Sequence, residues 1–223
     1  MKREIITTLD GSTTIHLPEL NESYHSKHGA IQEAYHVFIK NGLSLFKRES
    51  VAILEIGFGT GLNAFITYLE SQKNNLSIDY VGVEAYPVAF DEAMKMNYAA
   101  ELNATNSVKF FEKMHESDWE EKQLFSTQFS LTKRQQFFET ISDENAFDLI
   151  YFDAFGFRVQ PELWSLEIFK KMFYALKSEG VLVTYACRTS IKNAMKEAGF
   201  TVEKLPGAPG KREMLRASKN NFF

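Results

Sequence analysis

The stretch that decides the fold is "ILEIGFGTGLNAF", which runs from Ile53 to Phe65. It joins an apolar run, three glycines at alternate positions and an apolar pattern with helical spacing. This order predicts a buried β-strand, a tight turn and an α-helix. Glycine has no Cβ, so the turn at Gly57, Gly59 and Gly61 can adopt positive φ and let a ligand touch the main chain. Because a helix N-terminus also offers free N–H groups, the turn predicts a nucleotide-like cofactor site without specifying the cofactor.

The composition is that of an ordinary folded protein. The chain has 223 residues, of which 44% are hydrophobic and 24% charged, with a formal net charge of -4 and a pI near 5.8. The negative net charge disfavours nucleic-acid binding over the whole surface of the protein, but it is compatible with a local basic patch. The single cysteine, Cys187, excludes an internal disulfide and is typical of a reducing compartment. Since the sequence has no signal-peptide pattern and no membrane-spanning apolar run, we expect a soluble cytoplasmic protein without a membrane partner.

Strands and helices alternate after residue 50, which predicts a mostly parallel sheet covered by helices. The final β runs, 201–207 and 212–218, are joined by "PGAPGK", a connection so short that the two must pair antiparallel. This α/β arrangement resembles the Rossmann-like class I S-adenosylmethionine-dependent methyltransferase fold. The predicted strands before the final hairpin are 51–57, 77–85, 107–113, 147–155 and 181–187, and the predicted helices are 62–72, 87–102, 161–180 and 189–200.

A small extension precedes this alternating region. Two β-prone runs flank Asp10-Gly11 and predict a hairpin, and apolar residues at helical spacing predict a helix from Ala30 to Lys40. We therefore expect an N-terminal hairpin and helix extension over residues 1–48 and a methyltransferase-like domain over 49–223. The charged, aromatic segment around 118–145 is interpreted as a helical insertion over one sheet edge.

Two acidic residues follow predicted strands on the cofactor side of the sheet. Glu84 ends the second strand, where a carboxylate can accept both hydrogen bonds of a ribose diol. Asp153 ends the fourth strand, at the edge where ligands of such sheets bind. Each has a plainer alternative, since Glu84 could be a solvated strand end and Asp153 a helix N-cap. The histidines, such as His25 and His115, show no metal-binding spacing, so we assign no metal and interpret them as surface or pocket groups.

Three motifs, "GFGTGLNAF", "DAFGFRVQPELW" and "GAPGKREML", resemble the methyltransferase domain of the tRNA 5-methylaminomethyl-2-thiouridine biosynthesis family, the MnmC-like proteins. The N-terminal "YHSKHGAIQEAYHVFI" is similar to that family's "YxS…GxxEExxxVF" segment, and the closing motif is the most specific. The resemblance covers nearly the whole chain. It implies methyl transfer from S-adenosylmethionine to the primary amine of 5-aminomethyl-(2-thio)uridine in the anticodon loop of tRNA, at the wobble position. It also implies a stand-alone form without the family's flavin-dependent oxidase.

The resemblance also implies residue roles. Asp153 would orient the amine and stabilise its growing charge, while Glu84 would hold the ribose. Gly156-Phe157 departs from the family's usual residues after Asp-Ala-Phe, which changes the expected shape of the nucleobase pocket. The expected cofactor-binding residues are Glu55, Gly57, Phe58, Gly59, Gly61, Asn63, Glu84, His115 and Asp153, with the adenine near Met114 and His115; the expected substrate-binding residues are Tyr24, Phe155, Phe157, Arg158, Lys211 and Arg212.

Three alternatives compete with this interpretation. One is a methyl- or aminopropyl-transferase that acts on a free small-molecule amine, similar to polyamine synthases, which the acidic pI slightly favours. Another is a nicotinamide-dependent oxidoreductase with the same glycine-rich turn, which the terminal hairpin disfavours. The last is a non-catalytic RNA-binding domain, which the joint presence of Glu84 and Asp153 disfavours.

Overall fold

The computed structural model describes residues 2–47 and 50–219 and places eight of its strands in one mixed sheet. No helix within these ranges is long and apolar enough to cross a membrane. The strands are β1 Glu4–Thr7, β2 Thr13–Leu17, β3 Glu22–Ser23, β4 Ser50–Ile56, β5 Ser77–Glu84, β6 Lys122–Ser126, β7 Phe129–Gln135, β8 Phe147–Phe152, β9 Leu176–Thr184, β10 Thr201–Pro206 and β11 Glu213–Ser218. The α-helices are α1 Ala30–Ala34, α2 Leu62–Asn74, α3 Phe90–Ala93, α4 Tyr98–Glu101, α5 Val108–Glu116, α6 Leu166–Ala175 and α7 Thr189–Glu197.

The large sheet has the order β10-β11-β9-β8-β4-β5-β7-β6. Its five central strands, from β9 to β7, run parallel, while β6 and β11 pair antiparallel with their neighbours. The closing hairpin of β10 and β11 is antiparallel as predicted. Because β4 pairs with both β5 and β8, the carboxyl ends of these three strands meet at one edge. This edge is where the glycine-rich turn, Glu84 and Asp153 leave the sheet.

The N-terminal extension forms a separate three-stranded antiparallel sheet of β1, β2 and β3. The hairpin around Asp10-Gly11 is confirmed, with Ile5 opposite Ile15. The predicted helix over Ala30 to Lys40 is also confirmed, as α1 continued by a π-helical segment, Tyr35–Lys40. The proposed domain boundary between residues 48 and 49 lies outside the described residues.

The region between β5 and β8 differs from the prediction. Segment 107–113 lies within the helical turns that include α5, because Phe110, Phe111 and Met114 are buried on one helical face. The third parallel strand is β7, within the segment 118–145 that was interpreted as a helical insertion. That segment is therefore part of the sheet, as the β6–β7 hairpin. An inward Lys133, only 1% exposed, interrupts the apolar alternation that would have indicated a strand.

Two predicted helices are shorter than expected. The segment 87–102 contains α3 and α4 instead of one helix, since Asn97 between them accepts hydrogen bonds from the Thr13 amide and hydroxyl at 2.8 and 3.1 Å. The helix expected over 161–180 is α6 preceded by a 3-10 turn, and β9 begins directly after it. The carbonyls of Tyr174 and Ala175 at its end accept from the amides that precede β8, which ties the helix to the sheet. The helix predicted over 189–200 is confirmed as α7.

The central strands β4, β5 and β8 are buried on both faces, as expected for parallel strands between helix layers. One apolar cluster contains residues of α2, α5 and the N-terminal extension, and the other contains residues of α6 and α7. Gly82 lies in β5 beneath the glycine-rich turn, and an added Cβ there would collide with the ring of Phe58. Since Phe58 is 3% exposed, its ring has little room to move away.

We predict that Gly82→Ala lowers the free energy of unfolding by about 1–3 kcal/mol, because it overpacks the site beneath Phe58. Urea titration followed by circular dichroism measures this change. Gly156→Ala is the matched control, since its Cβ would lie 3.4 Å from Glu22 Oε2, an ordinary contact. The control should change stability by less than about 0.5 kcal/mol. Equal stabilities of the two variants would contradict the packing described here.

Candidate active site

A cavity of about 500 Å³ opens at the carboxyl ends of β4, β5 and β8. Cavities of this volume at this position in an open α/β sheet typically bind small molecules. Most of the residues predicted to bind the cofactor, and two predicted to bind substrate, converge on it. They are Tyr24, Gly57, Phe58, Gly59, Asn63, Glu84, Asp153 and Phe155.

The glycine-rich turn is shaped by the protein's own packing. Gly57 has φ 90°, and a Cβ there would lie 2.6 Å from the carbonyl oxygen of Asp153. The amides of Gly57 and Phe58 both donate to the Val83 carbonyl at 3.0 Å, which fastens the turn to β5. Gly61 has φ 74° but faces α5, where its Cβ would lie 2.6 Å from Met114 Cε, and it does not line the cavity. The turn therefore exposes its backbone to the cavity at Gly57 and Gly59, whereas the missing Cβ of Gly61 lets the turn pack closely against α5.

Glu84 is held in the cavity wall by backbone donors. The Gly59 amide donates to its Oε2 and the Tyr86 amide to its Oε1, both at 3.0 Å. Each carboxylate oxygen has a second lone pair, so both can still accept from a ligand. These bonds disfavour the alternative of a freely solvated strand end. Both oxygens of Glu84 are oriented, and the group lines the cavity.

Asp153 is part of a buried network of two acids and an amide. Asn63 Nδ2 donates to Asp153 Oδ2 and to Glu55 Oε1, each at 2.9 Å, and Tyr80 donates to Glu55 Oε2 at 2.9 Å. Burial raises the pKa of Asp153 to about 7, with a further contribution from the negative charge of Glu33. Burial also raises the pKa of Glu55 well above its ordinary value. Glu55 does not line the cavity. It accepts a hydrogen bond from Asn63 and so orients that side chain, without contacting a ligand in the cavity.

One oxygen of Asp153 remains available. Within residues 2–47 and 50–219, no hydrogen bond to Asp153 Oδ1 is found, and no side-chain capping bond from Asp153 to a helix is found either. A carboxylate with a pKa near neutrality and a free oxygen, in a cavity, can hold or accept a proton at physiological pH.

The other predicted substrate residues lie outside the cavity lining. The Arg188 guanidinium lies 4.5 Å from the centroid of the Phe157 ring, and Arg158 donates to the Asn21 carbonyl at 3.1 Å. Lys211 forms an ion pair with Glu33, and its ammonium lies 3.9 Å from the centroid of the Tyr185 ring. Arg212 is exposed on the same turn. The structure thus brings Tyr24 and Phe155 into the cavity, where their rings lie edge-on with centroids 5.0 Å apart. Arg158, Lys211 and Arg212 lie outside the cavity lining.

The structure places His115, an expected cofactor-binding residue, against Thr60 and Gly61. His115 does not line the cavity, and its Nε2 lies 3.1 Å from the Thr60 carbonyl oxygen. Burial lowers its pKa to about 4. The expectation relied on 107–113 as the third strand, whereas the residues that follow the true third strand, β7, line the cavity instead. These are Phe137, Phe138 and Glu139.

Sequence reasoning missed an aromatic pair at the cavity mouth. Tyr86 and Phe137 are 64% and 50% exposed, and their rings lie edge-on at 5.9 Å. Tyr86 lies two residues after Glu84, a position that the sequence could have indicated. Phe137 could be found only after β7 had been identified. Among the described residues, no group of three or more histidine, cysteine or acidic side chains could hold a metal ion.

The sequence matches one family model, described as S-adenosyl-L-methionine-dependent methyltransferase, over residues 98–220, which is more than half of the chain. A curated relative is the tRNA 5-methylaminomethyl-2-thiouridine biosynthesis bifunctional protein MnmC of Leptospira interrogans. It is 25% identical to this chain in an alignment that covers 92% of this chain and 34% of that protein. The chain therefore spans about a third of the length of this relative. The resemblance inferred from the motifs is confirmed.

Solved structures agree on the fold. MNMC2 of Aquifex aeolicus has a TM-score of 0.78 at 23% identity, over 99% of this chain and 72% of that one. Spermidine synthase of Thermotoga maritima has a TM-score of 0.57 at 13% identity, over 99% and 72%. These similarities confirm the class I methyltransferase fold and disfavour the oxidoreductase alternative. Because the family match extends from α4 to β11 and the fold agrees with it, the chain belongs to the S-adenosyl-L-methionine-dependent methyltransferase family and uses that molecule as its cofactor.

Proposed function

We propose that this chain N-methylates the primary amine of 5-aminomethyl-(2-thio)uridine at the wobble position of tRNA. The observation that carries the proposal is the free Oδ1 of Asp153, in the same cavity as Glu84 and the glycine-rich turn. The MnmC relative, named for the biosynthesis of 5-methylaminomethyl-2-thiouridine in tRNA, supports the choice of substrate. The protein would act as a tRNA methyltransferase in the cytoplasm.

The residues of the cavity fit S-adenosylmethionine. Glu84 has two oriented oxygens for a ribose diol, and the backbone of Gly57 and Gly59 lines the cavity where the methionine part would lie. Asn63 Oδ1 is buried and has no hydrogen-bond partner in the part of the chain that the structure describes, and an ammonium group such as that of the methionine part would satisfy it. Tyr86 and Phe137 offer aromatic surface beyond Glu84 for the adenine. When bound, the cofactor supplies an electrophilic methyl group on a sulfonium.

Asp153 prepares the amine for attack. Its Oδ1 accepts a hydrogen bond from an amine N–H, which orients the nitrogen and stabilises the positive charge that grows on it. With a pKa near 7, the carboxylate can also take the proton that the nitrogen loses. Asn63 fixes the other oxygen of Asp153, so the acceptor does not rotate away. Asp153 therefore acts as a proton acceptor and as a positioning group.

Tyr24 and Phe155 are the proposed contacts for the uracil ring, because they provide edge-packed aromatic surface beside Asp153. A base in an anticodon loop is unpaired, so moving it into a cavity costs less than extracting it from a duplex. Arg158 and Arg212 are exposed and suit phosphate contacts. Lys211 is a weaker candidate for this role than expected, because Glu33 already neutralises its charge.

A second candidate function is methyl or aminopropyl transfer to a free small-molecule amine. The observation that favours it is the acidic lining of the cavity, which suits a polyamine cation. The fold similarity to spermidine synthase is compatible with this function but does not establish it. The five carboxylates of the lining are Glu84, Glu139, Asp153, Glu162 and Glu167.

The proposed function predicts transfer of labelled methyl from S-adenosylmethionine to bulk tRNA taken from cells that lack this gene. Nucleoside analysis should find the label in 5-methylaminomethyl-uridine species. Putrescine and spermidine, assayed in parallel, should remain unlabelled with S-adenosylmethionine and unconsumed with its decarboxylated form, the donor that aminopropyl transfer requires. Transfer to either polyamine without label in tRNA would overturn the tRNA proposal and favour the second candidate.

We predict that Glu84→Gln raises the Kd for S-adenosylmethionine about tenfold to a hundredfold, because it replaces a charged acceptor of the ribose with a neutral one. Isothermal titration calorimetry measures this change. The control is Asp79→Asn, at the other end of β5, where the carboxylate pairs with Lys122 at 2.9 Å. A Kd for Glu84→Gln equal to that of the control would remove Glu84 from the cofactor site.

We predict that Asp153→Asn lowers kcat about a hundredfold or more while the Kd for S-adenosylmethionine changes only a few-fold. The wild-type kcat should rise with pH up to the Asp153 pKa of about 7 and level off above it, because the protonated acid cannot accept the amine proton. This rise should vanish in the variant. A variant that retains the wild-type rate and pH profile would exclude Asp153 as the acceptor.

A further inference from the structure

His25 lines the same cavity as Asp153 but has no role in the mechanism above. Its Nδ1 lies 2.9 Å from the hydroxyl of Thr14, a fully buried residue of β2. Its ring also lies edge-on to Tyr98, with 6.3 Å between centroids. Within residues 2–47 and 50–219, no hydrogen bond to Nε2 is found. Thr14 thus holds the imidazole at Nδ1, while Nε2 has no hydrogen-bond partner among the described residues.

The charge of this imidazole is set by its surroundings. Burial, opposed by the charge of Asp10 and aided by that of Lys211, lowers the pKa of His25 to about 4. The ring is therefore neutral at neutral pH. When Nδ1–H donates to the Thr14 hydroxyl, Nε2 carries a lone pair and is a hydrogen-bond acceptor.

His25 and Asp153 both belong to the lining of this cavity. The preceding residue, Tyr24, packs against Phe155, two residues after Asp153. The same Tyr24 ring would lie 3.1 Å from a Cβ on Gly59, so it also borders the glycine-rich turn. The Tyr24 ring therefore borders both the glycine-rich turn and the segment after Asp153, and His25, the next residue, lines the same cavity.

The chemistry of a primary amine calls for two acceptors. A neutral amine has two N–H bonds and one lone pair, and the lone pair has to point at the methyl carbon during attack. Both N–H bonds then point away from it, and each needs an acceptor in a site that excludes water. Asp153 Oδ1 supplies one. The carboxylates of Glu139, Glu162 and Glu167 are exposed, and no hydrogen bond or ion pair holds them within residues 2–47 and 50–219.

We propose that Nε2 of His25 is the second acceptor and that, together with Asp153 Oδ1, it fixes the direction of the amine lone pair. The inference rests on the proposed function, because it assumes a primary amine in this cavity. The step requires no additional reactant. His25 accepts a hydrogen bond without taking the proton, and the proton that the nitrogen loses goes to Asp153.

Two substitutions of His25 separate this role from a structural one. His25→Asn keeps an amide nitrogen near the position of Nδ1 for Thr14 but places nothing at Nε2. His25→Gln places an amide oxygen near the position of Nε2. The single-turnover rate at saturating cofactor and tRNA should fall about tenfold to a hundredfold in His25→Asn and only a few-fold in His25→Gln. His16→Asn is the matched control, since His16 Nδ1 also lies near a hydroxyl, Ser23 Oγ at 3.1 Å, but His16 does not line the cavity.

A binding measurement makes the test independent of turnover. The imidazole ¹⁵N resonances of the wild type are recorded with S-adenosylhomocysteine, before and after addition of 5-aminomethyluridine. The Nε2 resonance of His25 should shift as it accepts the N–H, and that of His16 should not. An unshifted His25 resonance, or equal rates for His25→Asn and wild type, would overturn the role of His25. A shifted resonance in a protein that does not label tRNA would overturn the tRNA substrate and leave the role of His25 intact.

Discussion

The structure depends on how closely the turn after β4 approaches the end of β8. No side chain fits at Gly57, because a Cβ would lie 2.6 Å from the carbonyl oxygen of Asp153. This approach follows from the pairing of β4 with β8, which brings the two strand ends side by side. It directs α2 so that Asn63, in its first turn, reaches Asp153 at 2.9 Å. One tight backbone contact therefore shapes the cofactor turn and positions the proposed proton acceptor.

The same contact accounts for the electrostatics of the cavity. Glu55 and Asp153 are two acids that share one amide donor, so burial is only partly compensated, and the pKa of each lies above its ordinary value. Such an arrangement stabilises the fold less than an apolar cluster of the same size would. It is typical of an active site, where a group has to change protonation near neutral pH. The Glu33–Lys211 ion pair joins the N-terminal extension to the connection of the final hairpin.

Much of this arrangement could be predicted from sequence, because the deciding signals are local. The strand–turn–helix at 53–65, the acid at the end of β5 and the short closing connection each depend on a few consecutive residues. Segment 107–113 was predicted to be a strand and is helical, because the adjacent Phe110 and Phe111 suit either a strand or a helix. The inward Lys133 concealed β7, and with it the aromatic wall near Phe137.

The pairing of Lys211 could not be predicted either, since its partner, Glu33, lies far away in the chain. The free nitrogen of His25 and the shared amide of Asn63 are also products of tertiary packing and not of a local pattern. The long-range contacts around Asp153 thus determine which of the candidate residues can reach a ligand. The candidate residues that line the cavity are therefore fewer than the motifs indicate, and other residues join them.

The most direct test of the central claim is a crystal structure of the protein with S-adenosylhomocysteine and 5-aminomethyluridine. The distance to measure is the one between the amine nitrogen and Asp153 Oδ1. We predict a hydrogen bond of about 2.6–3.2 Å, with the uracil ring against Tyr24 and Phe155 and the amine on the side of the cofactor sulfur. A nucleoside bound elsewhere, or with its amine directed away from Asp153, would contradict the account.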